Sequence, residues 1–158
     1  MKIQRIAGRL YHEIDFIWVR LRGLYWRLRL GRLGRGTRFY GPIWIGRPDL
    51  VTIGDRCTIN RDVLINGRAP VVIGDRVRIA ARVIINTEAF DYRSHEHNSM
   101  PITIHNGAWI GTGSILHPGI TIGEDAAVGE GSVVLKDVPA RTLVFGNPAR
   151  IIQQNQEV

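Results

Sequence analysis

Aliphatic residues recur along this chain every six positions, with small or polar residues filling the gaps. The longest unbroken run is Ile104, Ile110, Leu116, Ile122, Val128, Val134; two earlier runs are Ile53, Ile59, Ile65 and Ile73, Ile79, Ile85. A beat of six fits neither the roughly 3.6-residue turn of a helix nor the alternation of a half-buried strand. It predicts a coil that turns a corner every six residues, a parallel β-helix of hexapeptide repeats. The aliphatic residue of each unit points to the axis. The second position is mostly small (Gly46, Gly54, Asn60, Gly74, Ala80, Gly111, Gly123, Gly129), where the backbone bends and side-chain room is scarce. The fifth is small or apolar, as at Cys57, Val77, Ala108, Ser114, Ala126 and Ser132. Three units close a triangular coil, and stacked coils pair strand on strand as parallel sheets. A β-sandwich is the alternative, but its turns do not recur at a spacing of six.

Three interruptions break the beat. Ile45 to Ile53 and Ile65 to Ile73 each span eight residues, predicting short excursions near Arg47-Pro48 and Gly67–Pro70. Ile85 to Ile104 spans nineteen and ejects a loop at about 88–101 that carries Glu88, Asp91, His95, Glu96 and His97. A long loop on a rigid scaffold is a usual seat of function.

Charge divides the chain. Residues 1–38 hold ten Lys or Arg against Glu13 and Asp15, a net of +8, whereas the whole chain nets +7. Within that segment Ile3, Ile6, Leu10, Ile14, Ile17, Leu21, Leu24 and Leu28 keep a three-four spacing, which predicts an amphipathic helix or helix pair. Gly23 is a candidate hinge, Gly31, Gly34 and Gly36 a stop, and Tyr11, Trp18, Tyr25 and Trp26 flank the stripe. Two roles fit: peripheral contact with a membrane through residues 1–30, or packing of the stripe on the β-helix or a second subunit. No nucleic-acid motif accompanies the charge, so nucleic acid is not an expected partner. The division expected is a basic helical segment at 1–38, a β-helix at 39–152 and a tail at 153–158.

The single cysteine, Cys57, reads as a small core residue and allows no disulfide framework, consistent with a cytoplasmic address. The N-terminus shows no uninterrupted apolar run of signal or membrane-spanning length.

The stretch Ile102–Gly111, then His117–Gly123, Val133–Pro139 and the closing Gly146-Asn-Pro-Ala-Arg150 resembles the hexapeptide acyltransferases. The likeness is to their sugar O-acetyltransferase branch, which holds the maltose, galactoside and colanic-acid-type acetyltransferases, and it covers roughly residues 40–152. It implies a left-handed helix sense, a homotrimer, and acetyl-CoA lying between neighbouring prisms, with no metal. A loop histidine would activate a hydroxyl of a saccharide acceptor. By motif, Trp109, Thr112, Gly129 and Glu130 would line the pantetheine arm; Lys136 and Arg150 would meet the nucleotide end. Gln153 stands where relatives often carry another cation.

The resemblance also implies a loop opening of His-Asp-Tyr, and here the triplet is Phe90-Asp91-Tyr92. The base is therefore sought at His95 or His97, oriented by Asp91, Glu88 or Glu96. His105 and His117 occupy second positions and read as corner residues; His12 reads as polar surface. Three rivals remain: N-acyl transfer to an amino nucleotide-sugar, a catalytically silent scaffold, and a zinc γ-carbonic anhydrase. The histidine spacings do not fit the last.

Overall fold

The computed structural model describes residues 17–154, so the stripe from Ile3 to Ile14, Tyr11 and His12 lie outside the described residues. The six-residue beat becomes a three-sided parallel β-helix. One face stacks Arg32–Leu33, Val51–Ile53, Val71–Ile73, Ile102–Ile104 and Thr121–Ile122. The second stacks Arg38–Phe39, Thr58–Ile59, Arg78–Ile79, Trp109–Ile110, Ala127–Val128 and Thr142–Gly146, and Ala149–Gln154 returns antiparallel at its end. The third stacks Trp44–Ile45, Leu64–Asn66, Ile84–Asn86, Ile115–Leu116 and Val133–Val134. Strand register places each aliphatic residue above its equivalent one coil away: Ile59 over Ile79, Ile79 over Ile110, Ile110 over Val128. Phe39, Ile85, Ile104, Ile110, Leu116 and Ile122 are fully buried in this column.

Corners need two devices, and the sequence suggested only one of them. The second position is a matter of room: a Cβ added at Gly111 would stand 2.7 Å from the Glu130 nitrogen and the Val128 oxygen of the next coil. The bend itself comes two residues later, where φ turns positive, at Gly107 (72°) and Gly131 (65°) but also at Arg56 (54°) and Arg76 (55°). Side chains lock one corner vertically. The Arg35 N–H donates to Asp55 Oδ1 (2.8 Å), the Asp55 N–H to Asp75 Oδ1 (2.7 Å), and the Asp75 N–H to Asn106 Oδ1 (2.8 Å). Cys57 is buried as expected, with its thiol 3.0 Å from the Gly74 carbonyl oxygen that accepts it, and burial pushes the thiol pKa up.

The helix at residues 17–29 departs from expectation at Gly23 and at its boundary with the β-helix. It runs through residues 17–29 without a break at Gly23, and the first coil already begins at Arg32, inside the segment expected to be helical. The face it turns to the prism is Val19, Trp26 and Leu30, with Trp26 6.2 Å from the Phe39 ring at the end of the column. The expected stripe faces away: Leu24 is 59% and Leu28 81% exposed. Trp26 therefore caps the open end of the column, a requirement of any solenoid.

Candidate active site

All three interruptions of the repeat fall at one corner, between the third face and the first. The excursion after Ile45 is the short 3-10 helix Pro48–Leu50, beside an exposed Arg47–Asp49 ion pair of 2.7 Å. The excursion after Ile65 turns at Gly67 (φ 128°), where an added Cβ would collide with the Thr87 hydroxyl. Thr87 is buried at the root of the long loop, accepting the Ala69 N–H at Oγ1 (3.2 Å) and donating its own N–H to Asn66 O (2.8 Å). The Met100 N–H donates to Thr87 O (2.9 Å) at the other end. The small excursion is thus the seat of the large one.

The loop is an ordered ribbon. Glu88–Asp91 pairs antiparallel with Glu96–Ser99, in register Glu88 with Ser99 and Phe90 with His97. Because alternate residues of a ribbon share a face, Glu88 and Phe90 join His97 and Ser99 on one side. His97 Nδ1 lies 3.1 Å from Glu88 Oε1, with the His97 side chain 62% exposed and that of Glu88 19%. Phe90 fills the place of the expected histidine, its ring 5.1 Å from that of His97 and 6.1 Å from that of His95. His95 sits in the tip with φ 56°. Asp91 is on the opposite face of the ribbon and accepts the Arg93 N–H (2.8 Å), so the carboxylate beside His97 is Glu88. The signal for that pairing was the hairpin register, which the irregular composition of the loop hid.

The residues expected at the cofactor lie elsewhere, in two groups. Trp109 points outward from the second face, between Arg78 and Ala127 in register, and is 38% exposed. Thr112 and Glu130 sit one coil apart on the corner between the second and third faces, where the Gly131 N–H donates to Thr112 O (2.8 Å). A Cβ at Gly129 would run into the Phe145 ring. Lys136 and Arg150 line one cleft of ≈ 520 Å³ with Leu135, Pro148 and Ile151. His105 borders a shallower cleft with Thr121, Glu124 and Asp137. His117 is exposed at the ribbon's corner, and Met100 packs over the neighbouring Gly119.

Within one chain the ribbon and the Trp109–Glu130 region occupy different corners of the prism. Among the described residues, no three His, Cys, Asp or Glu side chains group closely enough to hold a metal ion.

This geometry can be set beside known proteins. Residues 101–136 match the family described as bacterial transferase hexapeptide (six repeats). Galactoside O-acetyltransferase of Escherichia coli K12 is 33% identical over 122 residues, which is 70% of this chain and 60% of that protein. WcaF of the same organism, named as a colanic acid biosynthesis acetyltransferase, is 30% identical over 140 residues, covering 87% of this chain and 77% of that one. A hexapeptide-repeat-containing acetyltransferase of Vibrio cholerae, solved with acetyl coenzyme A, superposes with a TM-score of 0.81 at 34% identity. The match covers 96% of this chain and 86% of that chain. The fold and repeats define the class, and the chain belongs to the hexapeptide-repeat acetyltransferase family. It spans only 60% of the galactoside enzyme's length and 57% of a Saccharomyces cerevisiae relative's.

Proposed function

We propose that this chain is an acetyl-CoA-dependent O-acetyltransferase acting on a hydroxyl of a sugar or of a polysaccharide or lipopolysaccharide precursor. The observation that carries the reading is the exposed His97 imidazole with Nδ1 3.1 Å from Glu88 Oε1, on a ribbon ejected from an acetyltransferase scaffold. With its Nδ1 proton held by Glu88, His97 would present Nε2 as a base to the acceptor hydroxyl. The hydroxyl oxygen then attacks the thioester carbonyl carbon, the C–O bond forms, and the C–S bond breaks. The proton taken by the imidazole passes to the leaving thiolate, so His97 ends the cycle neutral. Backbone N–H groups on an exposed coil would meet the oxygen that gains charge. His95 is the second candidate base, its ring 6.1 Å from that of Phe90.

Trp109, Thr112, Gly129 and Glu130 would line the pantetheine arm, and Lys136 and Arg150 would hold the nucleotide phosphates, two cations on one cleft. The reading extends to a homotrimer, in which a neighbouring copy would bring its ribbon to a corner that the chain's own ribbon does not occupy. The reading keeps the protein in the cytoplasm, with residues 1–30 bringing it to the inner membrane face when the acceptor is lipid-linked.

The test is release of free CoA from acetyl-CoA on a panel of saccharides, comparing His97→Ala, His95→Ala and Glu88→Gln. The expected losses in kcat are about 10²–10⁴-fold for His97→Ala and roughly tenfold for Glu88→Gln. A loss confined to His95→Ala moves the base to the ribbon tip. Turnover unchanged in both histidine variants overturns the ribbon as the source of the base.

A further inference from the structure

The helix at residues 17–29 has two apolar faces, and among the described residues only one of them is covered. Trp26 and Leu30 close the column with Val19 buried on the same face; Ile17, Leu21, Leu24 and Leu28 turn away from it, between 50% and 81% exposed. Trp18 and Tyr25, 53% and 50% exposed, extend the outer face along one edge. At about 100° per residue, Arg20 and Arg27 flank this apolar strip on one side and Arg22 and Arg29 on the other. Arg29 stands 5.6 Å above the Tyr25 ring. The chain has no acidic residue between Asp15 and Asp49. Beside the helix lies a cleft of ≈ 460 Å³ in which Arg20, Arg27 and Arg38 share walls with Val19, Leu24 and Leu33. Leu24 belongs to both the strip and the cleft.

We propose that this outer helix face, together with the arginine-walled cleft beside it, is a docking surface for an anionic lipid bilayer. The inference deepens the membrane part of the functional reading and is independent of its chemistry. An aliphatic strip bordered by guanidinium groups and aromatics matches the interface, where side chains bury among acyl chains while the cations meet phosphates. The cleft adds cations over an aliphatic floor, the chemistry of a lipid headgroup with its first methylenes. A second copy of the chain is a poorer occupant. Two such faces meeting about a two-fold axis would bring the arginines of one helix, Arg27 and Arg29 among them, against those of the other. Crossing is not part of the proposal, since no described helix is long and apolar enough to span a membrane.

The experiment is co-sedimentation of the full chain with vesicles of phosphatidylcholine alone and of phosphatidylcholine with phosphatidylglycerol. Binding is expected to the anionic vesicles, weakening as salt is raised. A triple variant, Leu21→Gln with Leu24→Gln and Leu28→Gln, should bind at least about tenfold more weakly, from lost apolar burial. The pair Arg27→Glu with Arg29→Glu should lose at least about tenfold through charge. Because these residues are exposed, both variants should keep the parent's melting temperature. No sedimentation with anionic vesicles overturns the proposal, as does equal binding by the variants. A triple variant that changes the assembly state in analytical ultracentrifugation, without vesicle binding by the parent, makes the strip a subunit contact and also overturns it. CoA release on a soluble acceptor, measured in parallel, separates the two readings: vesicle binding without turnover fails the acetyl-transfer reading alone, and turnover without vesicle binding fails this one alone.

Discussion

In the column, Ile104, Ile110, Leu116 and Ile122 are fully buried, and each strand there is hydrogen-bonded to coils above and below. In the ribbon, Glu88–Asp91 pairs only with Glu96–Ser99, and Glu96, His97, Asn98 and Ser99 are all exposed. The two regions are built from the same extended backbone and differ in what their side chains face. Column positions are interchangeable aliphatics whose identity matters for volume; ribbon positions are polar and aromatic, held by a few contacts at the root. Stability and candidate chemistry therefore rest on different residues, and substitutions should affect one without the other.

The largest effect should come from Ile110→Asp, which places a carboxylate in the column with no cation near it. Loss of the cooperative unfolding transition by circular dichroism is expected, whereas Ile110→Val should cost about 0.5–1.5 kcal/mol. A folded, stable Ile110→Asp protein would break the comparison, since the column would then tolerate polarity as the ribbon does. Next is the cleft at the far end of the prism. Lys136→Ala with Arg150→Ala should raise KM for acetyl-CoA by about ten- to a hundredfold, with kcat nearly unchanged and melting temperature unmoved. A fall in kcat at unchanged KM would separate these cations from cofactor binding.

A smaller effect is expected at the corner ladder. Asn106→Ala leaves the Asp75 N–H without its 2.8 Å acceptor and should cost about 1–2 kcal/mol, read from a denaturant melt, with turnover intact. The smallest lies at Cys57, whose thiol is held by burial above its ordinary value of 9.0. A raised folded pKa means that stability from this group is complete below that value and declines as pH rises through it, because only the unfolded chain ionises freely. The difference in stability between the parent and Cys57→Ala should shrink in the parent's disfavour above pH 9.0, and stay constant below it.

Much of the column was legible because each of its residues repeats a local rule. Ile53, Ile59 and Ile65 needed only their spacing, since every unit meets the same neighbours one coil away. That every unit turns a corner was legible for the same reason, but where within the unit the bend falls was not. Glycine at the second position suggested a bend, and the bend lies at the fourth, where arginine and aspartate hide it. The site was legible as an interruption and not as an arrangement. His97 and Glu88 lie nine positions apart across a stretch that looks irregular, and only the ribbon register makes them neighbours. The helix was legible only as amphipathic: its regular apolar stripe left membrane contact and packing both open, and the less regular Val19, Trp26 and Leu30 are the residues that turn to the prism.

By itself, the sequence determined the three-sided parallel β-helix, the place where it is broken, and the residues available for chemistry there, because a six-residue period has one way to bury its aliphatics. The tertiary structure decided what the period leaves open. It brought three separate interruptions to a single corner and seated the ribbon on Gly67 and Thr87. It paired His97 with Glu88 while turning Asp91 to the other face. It also chose which face of the leading helix meets the column. Each of these depends on contacts between residues distant in sequence, set by the geometry of one coil on the next, and no local pattern records them.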